Sequence, residues 1–161
     1  MCRVLYILAL IVSFSVQATE NRKNDCEIFT NKNVDIFELD INTSFDGNVN
    51  FLLSKERNKY YLIVNASKDI LYKDRIELNK KQLALISKKF RIALNYDTKQ
   101  DIQGLDGSTW CFTPDIISKS TKMCFWSPDY KAAERGLDGL HELGESLWGH
   151  TDLDKKGFKL Y

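Results

Sequence analysis

The sequence has few of the residues and none of the motifs that mark common enzyme classes. It contains two histidines among 161 residues, and it reads HELGE from His141 where a zinc protease would have HExxH. It has no C-x-x-C, no G-x-S-x-G and no phosphate-cradling loop. These absences remove the local signs of a thioredoxin-like oxidoreductase, an α/β-hydrolase and a nucleotide-binding domain. The sequence therefore predicts no catalytic residue and no cofactor.

A metal site has only weak support in the sequence. His141 and Glu145 are four residues apart on a predicted helix, so they would share one face of it, and His150 follows just beyond the helix end. Two histidines and one carboxylate can ligate a metal, but two histidines alone rarely make a site. We predict no metal site, and we interpret this group as part of a partly exposed helix face.

Only one long apolar run is present, and it lies at the N-terminus. Val4–Val16 is 13 mostly apolar residues without a charge, preceded by Arg3, and Val16-Gln17-Ala18 offers small or aliphatic residues around a cleavage point. A membrane-spanning helix needs about 20 apolar residues, whereas this order is typical of a secretory signal peptide. We predict a signal peptide over residues 1–18 and one domain over residues 19–161, which would be soluble in the periplasm or secreted, with no stable membrane insertion. An N-terminal membrane anchor is the alternative interpretation.

The chain also lacks an excess of charge of either sign. It has 23 Lys and Arg against 22 Asp and Glu, and the loss of Arg3 with the signal peptide would make the two counts equal. A protein without excess charge is not steered toward nucleic acid or an anionic membrane. We therefore predict no nucleic-acid partner.

Three cysteines would remain after cleavage of the signal peptide: Cys26, Cys111 and Cys124. Exported proteins tend to pair their cysteines. Cys111 and Cys124 lie in two short aromatic runs separated by a polar bend, so we favour a disulfide between them, with Trp110 opposite Phe125 in an antiparallel hairpin. Pairs that include Cys26 stay open.

The hairpin supplies the candidate binding residues. Tryptophan and other aromatic residues are common in interface hot spots, so we predict a partner-binding surface made of Trp110, Phe112, Phe125 and Trp126. Neighbouring residues in a strand point to opposite faces. At least half of these four rings are therefore expected in the core.

The rest of the chain predicts an α+β domain in which a mostly antiparallel sheet of five to seven strands packs against two helices. Alternating apolar residues and turn signals between residues 34 and 78 predict a meander of four strands. Apolar residues at three- and four-residue steps predict a helix over Lys80–Leu94, capped by Asn79. Ser127 and Pro128 have the features of a helix start and predict a second helix over Pro128–Trp148. The charged tail Thr151–Tyr161 is interpreted as a short terminal strand.

Three glycines, Gly136, Gly139 and Gly144, interrupt the second helix pattern. Each costs about 1 kcal/mol of helix stability relative to alanine. Close packing of the helix on the sheet is the favoured explanation, and approach by the backbone of a partner is the alternative.

The segments GLDGSTWCF and CFWSP, followed by a helix that ends at Leu147 and Trp148, carry a resemblance. With them the chain resembles small exported bacterial proteins of unknown function that share a D-G-[ST]-x-W strand and a W-S-P turn. The resemblance covers about Ile76 to Trp148. It implies an α+β fold in a bacterial envelope setting, and it implies no catalytic residue.

These expectations favour a non-catalytic periplasmic binding protein, such as an inhibitor or immunity-type protein for a toxin or an envelope hydrolase. A small envelope hydrolase is the first alternative, with His141 or carboxylates such as Asp46, Asp106 and Asp115 as its candidate groups. A structural or assembly accessory protein is the second, with Cys26 in an intermolecular disulfide.

Overall fold

A computed structural model describes residues 34–96, 102, 104, 106–118 and 120–160. The predicted signal peptide and Cys26 lie outside these residues. The strands are β1 (Val34–Thr43), β2 (Asn48–Glu56), β3 (Lys59–Ser67), β4 (Leu71–Glu77), β5 (Ser108–Thr113) and β6 (Met123–Trp126), and the helices are α1 (Lys80–Ala93) and α2 (Asp138–Trp148). The strands form one sheet in the order β4-β3-β2-β1-β5-β6, and every neighbouring pair is antiparallel. The predicted α+β class is confirmed.

The first four strands form the predicted meander. The turn between β1 and β2 ends at Gly47, whose φ of 85° lies in the left-handed region that glycine adopts at low cost. Two residues, Arg57 and Asn58, connect β2 to β3, and Arg57 is also left-handed, with a φ of 54°. Tight turns of this kind set the register of the hairpins.

Helix α1 begins where the sequence predicts. The Asn79 side chain accepts hydrogen bonds from the backbone N–H groups of Lys81 and Gln82, while the Gln82 side chain accepts from the N–H of Asn79. This reciprocal cap fixes the helix start. The helix packs on the sheet through Phe90, whose ring stacks on Phe37 of β1 at 4.8 Å between ring centroids.

The prediction of a helix from Pro128 is wrong, because α2 begins ten residues later, at Asp138. Residues 128–136 form a series of turns instead. Lys131 and Gly136 have φ values of 51° and 67°, and two left-handed residues interrupt a right-handed helix. The start signal at Ser127 therefore produces only a turn, in which the Tyr130 N–H donates to the Ser127 carbonyl at 3.0 Å.

The prediction of a terminal strand is also wrong. After α2 the chain forms a 3₁₀ turn over Asp154–Lys156 and reverses at Gly157, whose φ is 83°. Phe158 and Leu160 are buried in the core, and Phe158 lies 6.5 Å from Tyr72 of β4 between ring centroids. These two apolar residues fill core volume beside the sheet and do not pair with a strand.

Both helices cover the same face of the sheet. Phe90 of α1 contacts Phe37 of β1, and Trp148 of α2 contacts Phe51 of β2 at 6.3 Å between ring centroids. Gly144 of α2 lies directly against the Trp110 ring of β5. No helix or strand of the described residues packs on the opposite face, which we call the open face. Its side chains come from the alternate strand positions, among them Glu38, Asp40, Asn50, Leu52, Tyr61, Ile63, Asn65, Arg75, Cys124 and Trp126.

Candidate functional site

The cysteine hairpin forms as predicted. Strands β5 and β6 pair with Cys111 directly opposite Cys124, and the two are joined by a disulfide. Trp110 lies opposite Phe125. Cys111 is buried and Cys124 is exposed on the short edge strand. The disulfide therefore fixes the last strand of the sheet to its neighbour.

The four predicted binding aromatics do not share one surface. Trp110 and Phe112 are 0% exposed and belong to the core, so a partner cannot reach them and the predicted surface is corrected to exclude both. Phe125 points to the helix side, where it is partly buried against Tyr96 at 5.6 Å between ring centroids. Only Trp126 points to the open face, at its β6 edge, and it is half-buried.

Hydrogen bonds account for the positions of Ser108, Trp110 and Ser127 in the segments GLDGSTWCF and CFWSP. The Trp110 indole N–H donates to the Ser108 hydroxyl at 2.8 Å. The Ser108 N–H donates to the Ser127 hydroxyl at 3.2 Å, and the Ser127 N–H donates back to the Ser108 carbonyl at 2.6 Å. Gly107, with a φ of 134°, leaves no room for a Cβ, which would lie 2.3 Å from the Ser127 hydroxyl. These residues join the two ends of the hairpin and satisfy a buried indole.

Arg135 completes this group, and our reasoning from the sequence missed it. Its side chain is only 2% exposed. The guanidinium donates to the backbone carbonyls of Trp126, Ser127 and Tyr130 at 2.8–3.1 Å. It therefore holds the W-S-P turn in place.

The centre of the open face carries a polar network. The Asn50 side-chain amide donates to the carboxylates of Glu38 and Asp40 at 2.7 and 2.6 Å. Lys122, just before β6, forms an ion pair with Asp40, and this hydrogen bond raises the pKa of the lysine above its ordinary value. The Asn65 side-chain amide of β3 donates to the side-chain oxygen Oδ1 of Asn50 at 3.4 Å. Three strands and the segment before β6 are thus linked on this side of the sheet.

Apolar and aromatic side chains lie beside the network. Leu52 and Ile63 are directly opposite each other in the β2–β3 pairing, and both are half-buried. Toward the β4 edge, the Arg75 guanidinium stacks on the Tyr61 ring at 3.9 Å from its centroid and forms an ion pair with Glu56 at 2.5 Å. The open face therefore combines the polar network, a neighbouring apolar pair, and aromatic and charged residues toward its edges.

The carboxylates considered for hydrolysis lie elsewhere. Asp46 and Asp106 line a cavity of about 270 Å³ at the end of the sheet, together with Asp129, which the sequence did not single out. A hydrogen bond from Lys68 lowers the pKa of Asp46, which is opposite to the raised pKa that a general acid needs. The pKa of Asp115 is also lowered, chiefly by a hydrogen bond from the Ser118 hydroxyl. The Asp115 carboxylate accepts hydrogen bonds from the backbone N–H groups of Ile117 and Ser118 and so caps the loop before β6.

The histidines stay apart from these carboxylates. His141 packs near Trp110, at 6.2 Å between ring centroids, and lies 3.6 Å from Glu145 on the same helix. His150 contacts the Ser146 carbonyl at 2.5 Å. Within the described ranges, no three His, Cys, Asp or Glu side chains come together as metal ligands.

In the part of the chain that the structure describes, no helix has the length and apolar character needed to cross a membrane. No protein-family model, curated protein or solved structure matches the chain. The resemblance to small exported bacterial proteins stays a prediction, and the function is argued from the surfaces above.

Proposed function

We propose that this protein is an exported binding protein without catalytic activity that covers another protein with its open face. Its role would be that of an inhibitor or an immunity-type protein for a toxin or an envelope hydrolase. The observation that carries the proposal is the open face itself, one side of a six-stranded sheet on which no described helix or strand packs.

The size of the open face supports a protein partner. Six strands about 4.8 Å apart span about 24 Å, and strands of nine residues at about 3.3 Å per residue extend about 30 Å at the centre. The short β6 strand narrows one edge, so the projected area is about 500–600 Å². A standard protein interface buries about 800 Å² of accessible surface on each partner. The face with its surrounding loops is of that order.

The residue types on the face also support a protein partner. Hot spots in protein interfaces are enriched in Trp, Tyr and Arg and lie near apolar contacts that exclude water. Trp126 lies at one edge, the Tyr61–Arg75 pair lies toward the other, and Leu52 and Ile63 lie between them. The Asp40 network supplies polar groups that would fix the orientation of a partner.

The test is capture of a partner from an envelope extract of the organism that encodes the protein, read by mass spectrometry. Ile63→Arg places a charge in the middle of the open face, and Arg75→Ala removes the cation at its edge. Ile70→Arg is the matched control, because Ile70 is an exposed isoleucine in the β3–β4 turn. Urea unfolding of each variant checks that the fold is kept.

The expected result is one stoichiometric partner that Ile63→Arg loses and Ile70→Arg retains. Arg75→Ala should weaken capture by about fivefold or more, because a hot-spot truncation costs over about 1 kcal/mol of binding free energy. Equal capture by both isoleucine variants would place the interface elsewhere. Failure of the wild-type protein to capture any partner would contradict the proposed function.

A further inference from the structure

We propose that the outward face of α1 docks on an anionic phospholipid surface. We call this surface the α1 cationic face: it consists of Lys80, Lys81, Leu85, Lys88, Arg91 and Ile92. It is separate from the open face, since α1 packs on the other side of the sheet. The proposed ligand is the headgroup layer of a membrane, bound peripherally and without a spanning segment.

The first observation is the composition of the α1 cationic face. With 3.6 residues per turn, Lys81, Leu85, Lys88 and Ile92 follow one stripe along the helix. Leu85 and Ile92 are 44% and 39% exposed. Arg91 lies beside the stripe and is also exposed. The helix thus shows aliphatic and cationic side chains together on its outer side.

The second observation is that the positive charge on this face is not neutralised by the rest of the described protein. Lys89, on the flank toward α2, pairs with Glu142 at 2.5 Å. Among the described residues, no carboxylate forms an ion pair with Lys81, Lys88 or Arg91. A chain with nearly equal numbers of acidic and basic residues therefore presents a local excess of cations.

The third observation is that two cations lie at the N-terminal end of α1, where positive charge is unfavourable. Lys80 and Lys81 occupy the first turn of α1, which contains no acidic residue. The N-terminus of a helix carries a partial positive charge, so lysines there are unfavourable for helix stability. Folding alone does not account for these two lysines, whereas an anionic surface would stabilise them.

The chemistry of the face favours lipid over protein. Lysine is depleted in protein interfaces, where Tyr, Trp and Arg dominate, and the α1 cationic face has no aromatic residue and one arginine. Lysine keeps its ammonium in the headgroup layer while its methylene stem lies along apolar surface. Clusters of about four or more Lys and Arg on a helix are typical of sites for anionic lipid headgroups, and the exposed leucine and isoleucine beside them add apolar contact.

The test is sedimentation of the full chain, as purified from expressing cells, with sucrose-loaded vesicles. One set contains phosphatidylcholine alone and the other an equal mixture of phosphatidylcholine and phosphatidylglycerol. Mass spectrometry reads the N-terminus, because an uncleaved Val4–Val16 run would bind both sets. The quantity scored is the ratio of binding to anionic over neutral vesicles.

The double variant Lys81→Gln/Lys88→Gln should reduce binding to anionic vesicles by about thirtyfold, since each lysine near such a surface contributes about a factor of five. Lys156→Gln/Lys159→Gln, which removes two exposed lysines of the C-terminal tail, is the matched control and should bind like the wild type. Leu85→Ser should weaken binding severalfold with unchanged helix content by circular dichroism. High salt should release the wild-type protein.

Equal binding of the wild-type protein to anionic and neutral vesicles would overturn the proposal. Equal losses in the two double variants would also overturn it, because the effect would then be one of net charge alone. If the Lys81→Gln/Lys88→Gln protein loses a captured acidic protein while vesicle binding is unchanged, the face is a protein interface and the lipid assignment is wrong.

Discussion

Gly144 is the point where α2 approaches the sheet most closely, and its replacement by alanine gives a sharp test of the packing. A Cβ on this residue would lie 2.1 Å from Cζ3 and 2.5 Å from Cη2 of Trp110, whereas carbon atoms in contact lie about 3.5–4.0 Å apart. The indole is 0% exposed and its N–H is bonded to Ser108. The ring can therefore move only by displacing its neighbours in the core or by breaking this hydrogen bond.

Two opposing effects determine how much Gly144→Ala changes the free energy of unfolding. Overpacking a rigid core costs about 1–3 kcal/mol, and the fixed ring favours the upper end. Alanine gains about 1 kcal/mol of helix propensity over glycine. We expect a net loss of about 2 kcal/mol in the free energy of unfolding, measured by urea titration with tryptophan fluorescence.

Gly149→Ala is the matched control at the end of the same helix. Gly149 has a right-handed φ of −63°, and the atom nearest to an added Cβ is a carbonyl oxygen at 3.4 Å. We expect this variant to be as stable as the wild type or up to about 1 kcal/mol more stable. If Gly144→Ala behaved in the same way, the close packing of α2 on Trp110 would be refuted, and approach by a partner backbone would have to explain the glycine.

The other predictions concern the hairpin and its loop. Replacing Cys111 and Cys124 by serine should lower the free energy of unfolding by about 3 kcal/mol, because their bond closes a loop across 13 positions; urea titration with and without reductant measures this, and an unchanged midpoint would contradict it. Ser108→Ala leaves a buried indole N–H without an acceptor and should cost about 1–3 kcal/mol by the same assay. The Ser118 hydroxyl lowers the pKa of Asp115 below 3.8, so this carboxylate stabilises the fold above that pH and the contribution is lost as pH falls through the folded pKa. Stability measured at decreasing pH below 4 should therefore fall less steeply in Asp115→Asn.

The sequence predicts the sheet well where its signals are local. Alternation in Val49, Phe51 and Leu53 identifies the buried face of β2, and all three side chains are in the core. The turn at Gly47 and the helix cap at Asn79 are determined by residues that are close to them in the sequence. In each case the deciding contact is within four residues along the chain.

The start of α2 was predicted wrongly because its determinant is not local. Ser127 and Pro128 have the local features of a helix start. The turns that replace the helix depend on left-handed Gly136 and on the buried Arg135 guanidinium, which binds carbonyls up to nine residues away. A propensity argument cannot anticipate that contact, because it needs the path of the chain in three dimensions.

The open face could not be assembled from the sequence for a related reason. Asp40, Asn50 and Lys122 come from three separate segments, and only the strand order β2-β1-β5-β6 brings them together. The side on which Trp126 lies depends on the register of β6, since a slip of one residue reverses the faces of a strand. Before the register is known, Trp110 and Trp126 are equivalent binding candidates.

The two proposed surfaces lie on opposite sides of the molecule, and this arrangement makes them compatible. The α1 cationic face belongs to the helix layer, whereas Ile63 and its neighbours point away from that layer. A protein held on a membrane through α1 would present the open face to the surrounding compartment. Lys81→Gln/Lys88→Gln should therefore leave partner capture unchanged, and Ile63→Arg should leave vesicle binding unchanged. If either variant altered both activities while keeping its fold, lipid and partner would be competing for one surface, and the division between the two faces would be wrong.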